Sequence, residues 1–408
     1  IQIENAKTAD EFMRNKYTKA ELYIWMLSQL STVYSQSYQL AFDLAKRAER
    51  AFRQELGLQD SNYIQFDNWD DLRKGLLSGE KLHHDLRRLE TAYLDLNKRE
   101  FELTKHVSLR QLNPMALLQL KVNGFCDITL PEWLFDLDCP GHYMRRLKTV
   151  GVTIPCIVGP YASVNCTLTL QRSTVRISSQ LVNDAYHRLE DDATRFVDYF
   201  GAIHSVVTSS ANNDSGLFEI NLRDERFLPF EGSGAESTWR LELPREFRQF
   251  DYNTISDVVM HVRYTARQGG NQLRLAAVGN LPNIFNSIDE AEPVLLLSLP
   301  QDFPSEWHRF VSSTEPLSIR LGRYHFPYLA QGREIQTEEV RLVTLTLNTP
   351  PEQTATALSP TQLGLQQLPV FSPEQQDEET TIVFSDDVPL VRDARSNVFL
   401  IIHYTIGG

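Results

Sequence analysis

Residues 132–146 read EWLFDLDCPGHYMRR and set Asp136, Asp138, Cys139 and His142 within seven positions, with Pro140-Gly141 bending the chain between thiol and imidazole. Two chemistries use such residues. A Cys–His pair is a nucleophile when positive surroundings stabilise the thiolate, and two carboxylates with an imidazole can hold a metal ion. The pattern argues against both. Working Cys–His pairs bring the two residues together from distant segments, and Asp136 and Asp138 flank the thiol with charge that opposes its ionisation. The metal reading lacks helical i,i+4 spacing and a second histidine cluster. The run is therefore expected to be a structural joint. Asp136, Asp138, Cys139, Pro140, Gly141 and His142 form a tight turn feeding the strand YMRRLKTV, and Arg145 and Arg146 answer the two carboxylates.

A second concentration lies at 213–237, NDSGLFEINLRDERFLPFEGSGAES. Asp224, Glu225 and Glu231 could be an acid–base set and Gly232-Ser233-Gly234 a phosphate loop, but no G-K-[ST] and no strand-to-helix context follows. The mixed charges of LRDER read more readily as a salt-bridge lattice. His83-His84 sit on a helix facing solvent, and His106, His187, His204, His261, His308, His325 and His403 occur singly. No metal-ligand set and no cofactor motif is visible. Cys126, Cys139, Cys156 and Cys166 are separated by 12, 16 and 9 residues, without a C-x-x-C pair. In VNCTLTL, Cys166 reads as a small hydrophobe on a strand's buried face. Trp239 and Trp307 could serve a carbohydrate platform, although they lie within strand patterns and read as core. A Cys- or carboxylate-dependent hydrolase and a carbohydrate-binding sandwich are thus the alternatives to a non-enzymatic part.

The elements that position these residues change character along the chain, giving an α+β fold. Residues 1–112 carry helical periodicity. Thr18 and Glu21 have capping-box spacing, and no Gly or Pro follows before Gly57. Such a helix runs ~58 Å at ~1.5 Å per residue. Its apolar arc includes Tyr23, Leu27, Leu30, Tyr34, Tyr38, Ala41, Ala45, Ala48, Phe52 and Leu56, beside Leu22, Met26, Val33, Leu40 and Leu44. An arc that wide packs on more than one neighbour. A second helix carries a seam from Leu82 through Leu103 to Val107, interrupted at Glu100. The expectation is a long antiparallel, coiled-coil-like hairpin. After NPMALLQLK, a short helix capped by Asn113 with Pro114 first, alternating β-branched runs such as CDITL, VNCTLTLQ, TWRLELP, VRLVTLTLN and VFLIIHYTI point to antiparallel sandwiches. These divide into 113–280 and 281–408, with a Pro/Gln-rich loop or partly disordered segment at 350–380.

Charge limits the partners. Residues 1–112 hold 17 basic and 17 acidic side chains, so the remaining 23 and 36 account for the whole net charge of −13. That surface repels nucleic acid and anionic lipid. No stretch reaches the eighteen or so apolar residues of a membrane span. The start IQIENAKTADEF reads like the middle of a helix and suggests a piece of a longer polypeptide.

In order, LSTVYSQSYQLAFDLAKRAERAFRQELG, KGLLSGEKLHHDLRRLETAYLDLNKREFELTKHVSL, PEWLFDLDCPGHYMRR, PCIVGPYASVNCTLTL, NDSGLFEINLRDERFLPFEGSGAESTWRLELP and FRQFDYNTISDVVMHVRYTARQGG resemble the C-terminal part of the TcA subunit of bacterial Tc (toxin complex) toxins. The likeness is dense from about residue 17 to 270. It is looser over 281–408, where DFPSEWHRF and HFPYLAQGREI still fit, and it does not extend over the Pro/Gln-rich stretch. The resemblance implies a secreted, pore-forming, insecticidal toxin component that assembles as a homopentamer. Its long helices would form a translocation channel, and its β-region would dock the TcB component of the TcB–TcC cocoon. It implies that residues 1–112 close the channel and that TcB contacts fall within 281–408. Host-membrane contact would be made only through parts absent from this chain.

Overall fold

The computed structural model describes residues 1–18, 20–58, 60–69, 75–159, 163–189, 192, 194–210, 217–218, 228–244, 248–286, 293–327, 330–345, 350–374, 379–393 and 396–407. Residues 1–99 and 100–408 form two compact units.

The first unit is helical: α1 (Gln2–Thr18), α2 (Ala20–Leu56) and α3 (Ser78–Leu96). The side chains of the expected Thr18/Glu21 cap lie outside the described residues. The two long helices were expected to run antiparallel, and the contacts overturn this. Tyr34 Oη lies 3.1 Å from Ser78 Oγ at the start of α3, whereas Phe52 meets Tyr93 near its end, with ring centroids 6.4 Å apart. The helices are therefore parallel. The connector runs back between them: Ile64 O accepts from Lys46 Nζ at 2.5 Å, and Trp69 packs on Tyr38 and Tyr34 at 5.2 and 5.6 Å. From Tyr34 to Phe52 the helix is ~27 Å long at ~1.5 Å per residue. About nine extended residues span that distance, and the connector 57–77 exceeds it. A close turn holds its end, since a Cβ on Gly75 (φ +72°) would sit 2.3 Å from the Trp69 ring.

Glu49, buried in this unit, accepts from Lys46 Nζ (3.0 Å), Ser61 Oγ (3.2 Å) and Tyr63 N (2.6 Å). Burial pushes its carboxyl up, but these donors more than offset that and hold it below its ordinary value. Only part of the expected stripe is covered. Tyr38, Ala45, Phe52 and Leu56 are buried with Leu82 and Leu89, while Tyr23, Leu27, Leu30, Ala41 and Ala48 are exposed.

The seam expected to reach Val107 ends at Asn97, which takes extended angles. β1 (Phe101–Ser108) follows as a strand, because it pairs along its whole length with β8 (Val259–Gln268). The second unit contains two antiparallel sheet pairs. Between β1 and β8 come α4 (Leu109–Leu112), α5 (Pro114–Asn123), β2 (Phe125–Leu130), α6 (Glu132–Asp136), β3 (His142–Thr153), β4 (Ser163–Arg176), β5 (Phe196–Ser210), β6 (Leu217–Phe218) and β7 (Glu236–Glu242). The order β1-β8-β3-β6 faces β2-β7-β4-β5. Ile128, Leu168, Trp239 and Leu241 meet Val150, Val152, Met260 and Val262 in one core. Asn113 Oδ1 caps α5 through Ala116 N at 3.1 Å, and Gly124 ends it at φ +73°.

After α7 (Asn271–Asn286) come β9 (Val294–Ser298), α8 (Leu299–Asp302), α9 (Pro304–Ser312), β10 (Ser318–Gly322), β11 (Ile335–Thr344), α10 (Pro351–Thr354), β12 (Ala355–Leu358), β13 (Val370–Phe371), β14 (Glu379–Val383) and β15 (Val398–Ile406). One sheet has the order β12-β11-β15-β9, with β13 also on β11; β10 and β14 form the other. The run VFLIIHYTI is almost continuously apolar because its sheet is buried on both faces. Phe399 and Ile401 join the first core, Leu400 and Ile402 the second. The Pro/Gln-rich stretch, expected as a loop or partly disordered, holds among its described residues α10, a 3-10 turn at Pro360–Leu363, β12, β13 and the start of β14. Pro351 opens α10, β12 and β13 pair with β11, and Leu363 and Phe371 are fully buried anchors.

Candidate functional site

The run 132–146 folds as a corner between α6 and β3. Gly141 makes it possible: it takes φ +78°, and a Cβ there would fall 2.4 Å from Arg274 Cα on α7. A one-residue bulge follows, since Tyr143 pairs with Arg267 but Arg146 with Thr265. The extra residue breaks the alternation and turns Arg145 inward. Arg145, 6% exposed, donates from Nη2 to Asp136 Oδ1 at 2.6 Å and to Cys139 O at 3.1 Å. Tyr186 Oη donates to the other Asp136 oxygen. Behind them Arg176 holds Glu132 bidentately, at 2.6 and 2.8 Å, and reaches Tyr186 O at 2.7 Å.

This is a buried, alternating lattice of carboxylates and guanidiniums. Burial would lower the Arg145 pKa, but Asp136 and Glu132 outweigh it and raise it. Glu236 at the lattice edge is pushed up to about 7, by burial first and then by the Glu132 charge. The space lined by Glu132, Phe135, His142, Arg145, Arg176 and Glu236 is about 10 Å³, room for about one water and no substrate.

The second arginine departs from expectation. Arg146 does not answer Asp138; it donates to Glu100 at 2.9 Å, which also receives Arg267 at 2.9 Å, while Asp138 takes Lys105 at 2.6 Å. Glu100, the break in the apolar seam, is thus the acceptor of two arginines. The surroundings of Cys139 disfavour its thiolate. Burial and Asp138 raise its pKa, while burial and the Arg145 charge lower that of His142. Those shifts oppose a thiolate–imidazolium pair. His142 instead stacks on Phe101, with centroids 5.6 Å apart at 13°.

The other candidates disperse. Asp224 and Glu225 lie outside the described residues, and Glu231 is exposed. Two amides of the glycine loop are already used: Gly232 N donates to Leu147 O at 2.9 Å and Ser233 N to Phe230 O at 3.2 Å. Trp239 and Trp307 are buried, Trp239 against Phe230 in a strand and Trp307 beside Phe310 in a helix, so neither offers a carbohydrate platform. His83 and His84 are exposed. Cys126 and Cys166 are buried, their thiols pushed up to about 12 by burial. Two features escaped sequence reading. His106 and His261 meet across β1 and β8. A cleft of about 520 Å³ opens between the two sheet pairs, walled by Val107, Met115, Trp133, Leu134 and Ile401.

The described residues thus form a helical unit and two antiparallel sheet pairs, with the corner at 132–146 closed into an ion-pair lattice. Residues 1–266 match the sequence model of the Tc toxin complex TcA C-terminal TcB-binding domain, and the chain belongs to that family. Toxin subunit YenA2 of Yersinia entomophaga is 35% identical over 292 residues, covering 70% of this chain and 21% of that protein. The chain thus spans about a fifth of that relative's length. A cryo-EM structure of Yersinia pseudotuberculosis TcaA-TcaB is similar at 23% identity, covering 65% of this chain and 15% of that one, with a TM-score of 0.46.

Proposed function

We propose that the chain is a non-enzymatic part of a Tc toxin A component, combining channel helices that assemble with those of other copies and a β-rich platform that docks TcB. The match of residues 1–266 to the TcB-binding-domain family carries this reading. The helical unit supports assembly. Tyr23, Ile24, Trp25, Met26 and Leu27 are all exposed, and five successive residues cover the whole circumference of a helix. A helix apolar all round is enclosed by neighbours in its working state. Among the described residues no helix is long and apolar enough to cross a membrane. The family resemblance supplies the rest: a secreted homopentamer whose channel passes the toxic cargo of the TcB–TcC cocoon. In this reading residues 136–142 are a structural joint. Light scattering tests the assembly. The expected mass is about five times the 46.9 kDa of one chain. A strict monomer, with or without TcB, overturns it.

A further inference from the structure

The register of β1 and β8 puts His106 directly opposite His261, 155 residues away in sequence. Their Nδ1 atoms lie 2.6 Å apart, with the rings steeply inclined at 75°. Two imidazole nitrogens this close can share a single proton or, slightly parted, a single cation. On its other side His261 Nε2 meets Thr153 Oγ1 of β3 at 2.7 Å. When that hydroxyl accepts Nε2–H, Nδ1 is the lone-pair nitrogen. Neighbours fix the tautomer of metal-binding histidines in this way. The next residue in the row, opposite His261 on β3, is Gly151, which adds no side chain beside the ring. His106 is exposed, so water reaches the pair.

We propose that His106 and His261 form a bis-imidazole site for a divalent transition-metal ion of the zinc, copper or nickel class, with water completing the coordination. Imidazole is the ligand these ions share. At Zn–N bonds of ~2.0–2.1 Å in a tetrahedral site, two nitrogens stand ~3.3 Å apart, so the rings need to part by less than ~1 Å. Among the described residues no group of three or more His, Cys, Asp and Glu side chains is placed to hold a metal ion. Two imidazoles with water in the remaining positions make a site of modest affinity. An ion bound there bridges β1 and β8 only while the strands are paired, and so stabilises the folded sheet by linkage.

The test is equilibrium dialysis of the chelator-stripped chain against Cu(II) and Zn(II), with electron paramagnetic resonance of the copper form. The expected result is one ion per chain, copper spectra showing nitrogen ligation, and affinity at least tenfold weaker in His106→Gln and His261→Gln. Thr153→Val should weaken binding less, through the lost ring orientation. Circular dichroism establishes folding, and if His261→Gln fails to fold, the exposed His106→Gln decides alone. A His83→Gln/His84→Gln variant should bind as the parent does. A parent that binds no stoichiometric ion, or binding indifferent to His106→Gln, overturns the proposal. So does binding lost only in the His83/His84 variant.

Discussion

Glu236→Gln should change how the stability of the chain depends on pH. Glu236 stands on β7 beside the Glu132–Arg176 pair, and its pKa is raised from 4.5 to about 7 by burial and then by the Glu132 charge. Between those two values the folded protein keeps a proton that the unfolded chain has released. The stabilisation is therefore complete below 4.5, declines as pH rises, and is gone above about 7. At ~1.36 kcal/mol per unit, the gap is worth a ceiling of ~3 kcal/mol, and solvent reaching the half-buried side chain reduces this to ~1–3 kcal/mol. Glutamine does not titrate, so the variant lacks this decline. Urea unfolding from about pH 5 to about pH 8.5, followed by tryptophan fluorescence, reads the difference. The variant should gain on the parent by ~1–3 kcal/mol across that range and level off above about pH 8. Parallel profiles would refute the reasoning, because they would mean that Glu236 titrates alike in the folded and unfolded chain.

Gly141→Ala should cost more than ~2 kcal/mol and lower the thermal midpoint, since it combines positive φ with a clash against the α7 backbone. Asp136→Ala should cost ~3–5 kcal/mol in the same assay, because Arg145 is then left buried beside an emptied site. Arg323, 1% exposed, donates to the carbonyls of Ser372, Ala330 and Phe371 at 2.7, 2.9 and 3.3 Å. Arg323→Met should orphan those acceptors and destabilise the second sheet pair by ~2–4 kcal/mol in urea unfolding. With an aromatic disulfide reagent at mildly alkaline pH, Cys139 and Cys156 should react more slowly than a free thiol, because burial raises both. Cys126 and Cys166 should stay silent until the protein unfolds.

What the sequence displayed was mainly local. The cap and stop of α5 are written in Asn113, Pro114 and Gly124, and alternation in CDITL and TWRLELP marks β2 and β7 with their buried faces. The bend at Pro140-Gly141 was also legible, and Gly141 takes the positive φ of a tight turn. The ion-pair partners around it were not. A bulge redirects Arg145, and the pairing of β1 hands Glu100 to Arg146 and Arg267. Leu103 and Val107 satisfy both a heptad and a strand alternation, so only the break at Glu100 hinted that the helix had stopped. The parallel course of α2 and α3 could not be read from their own residues. Helix direction is set by how far the connector travels, and the Trp69 contacts that record this are tertiary. The His106–His261 pairing depends on a register fixed by strands far apart in sequence, so each histidine read as isolated.

The proposed role of the chain rests on a surface that docks the TcB component. Calorimetric titration of the purified chain with TcB tests it most directly. Saturable binding that survives Cys139→Ala is expected, since the surroundings of Cys139 disfavour its thiolate. Absence of binding to TcB by the folded, assembled chain would contradict it.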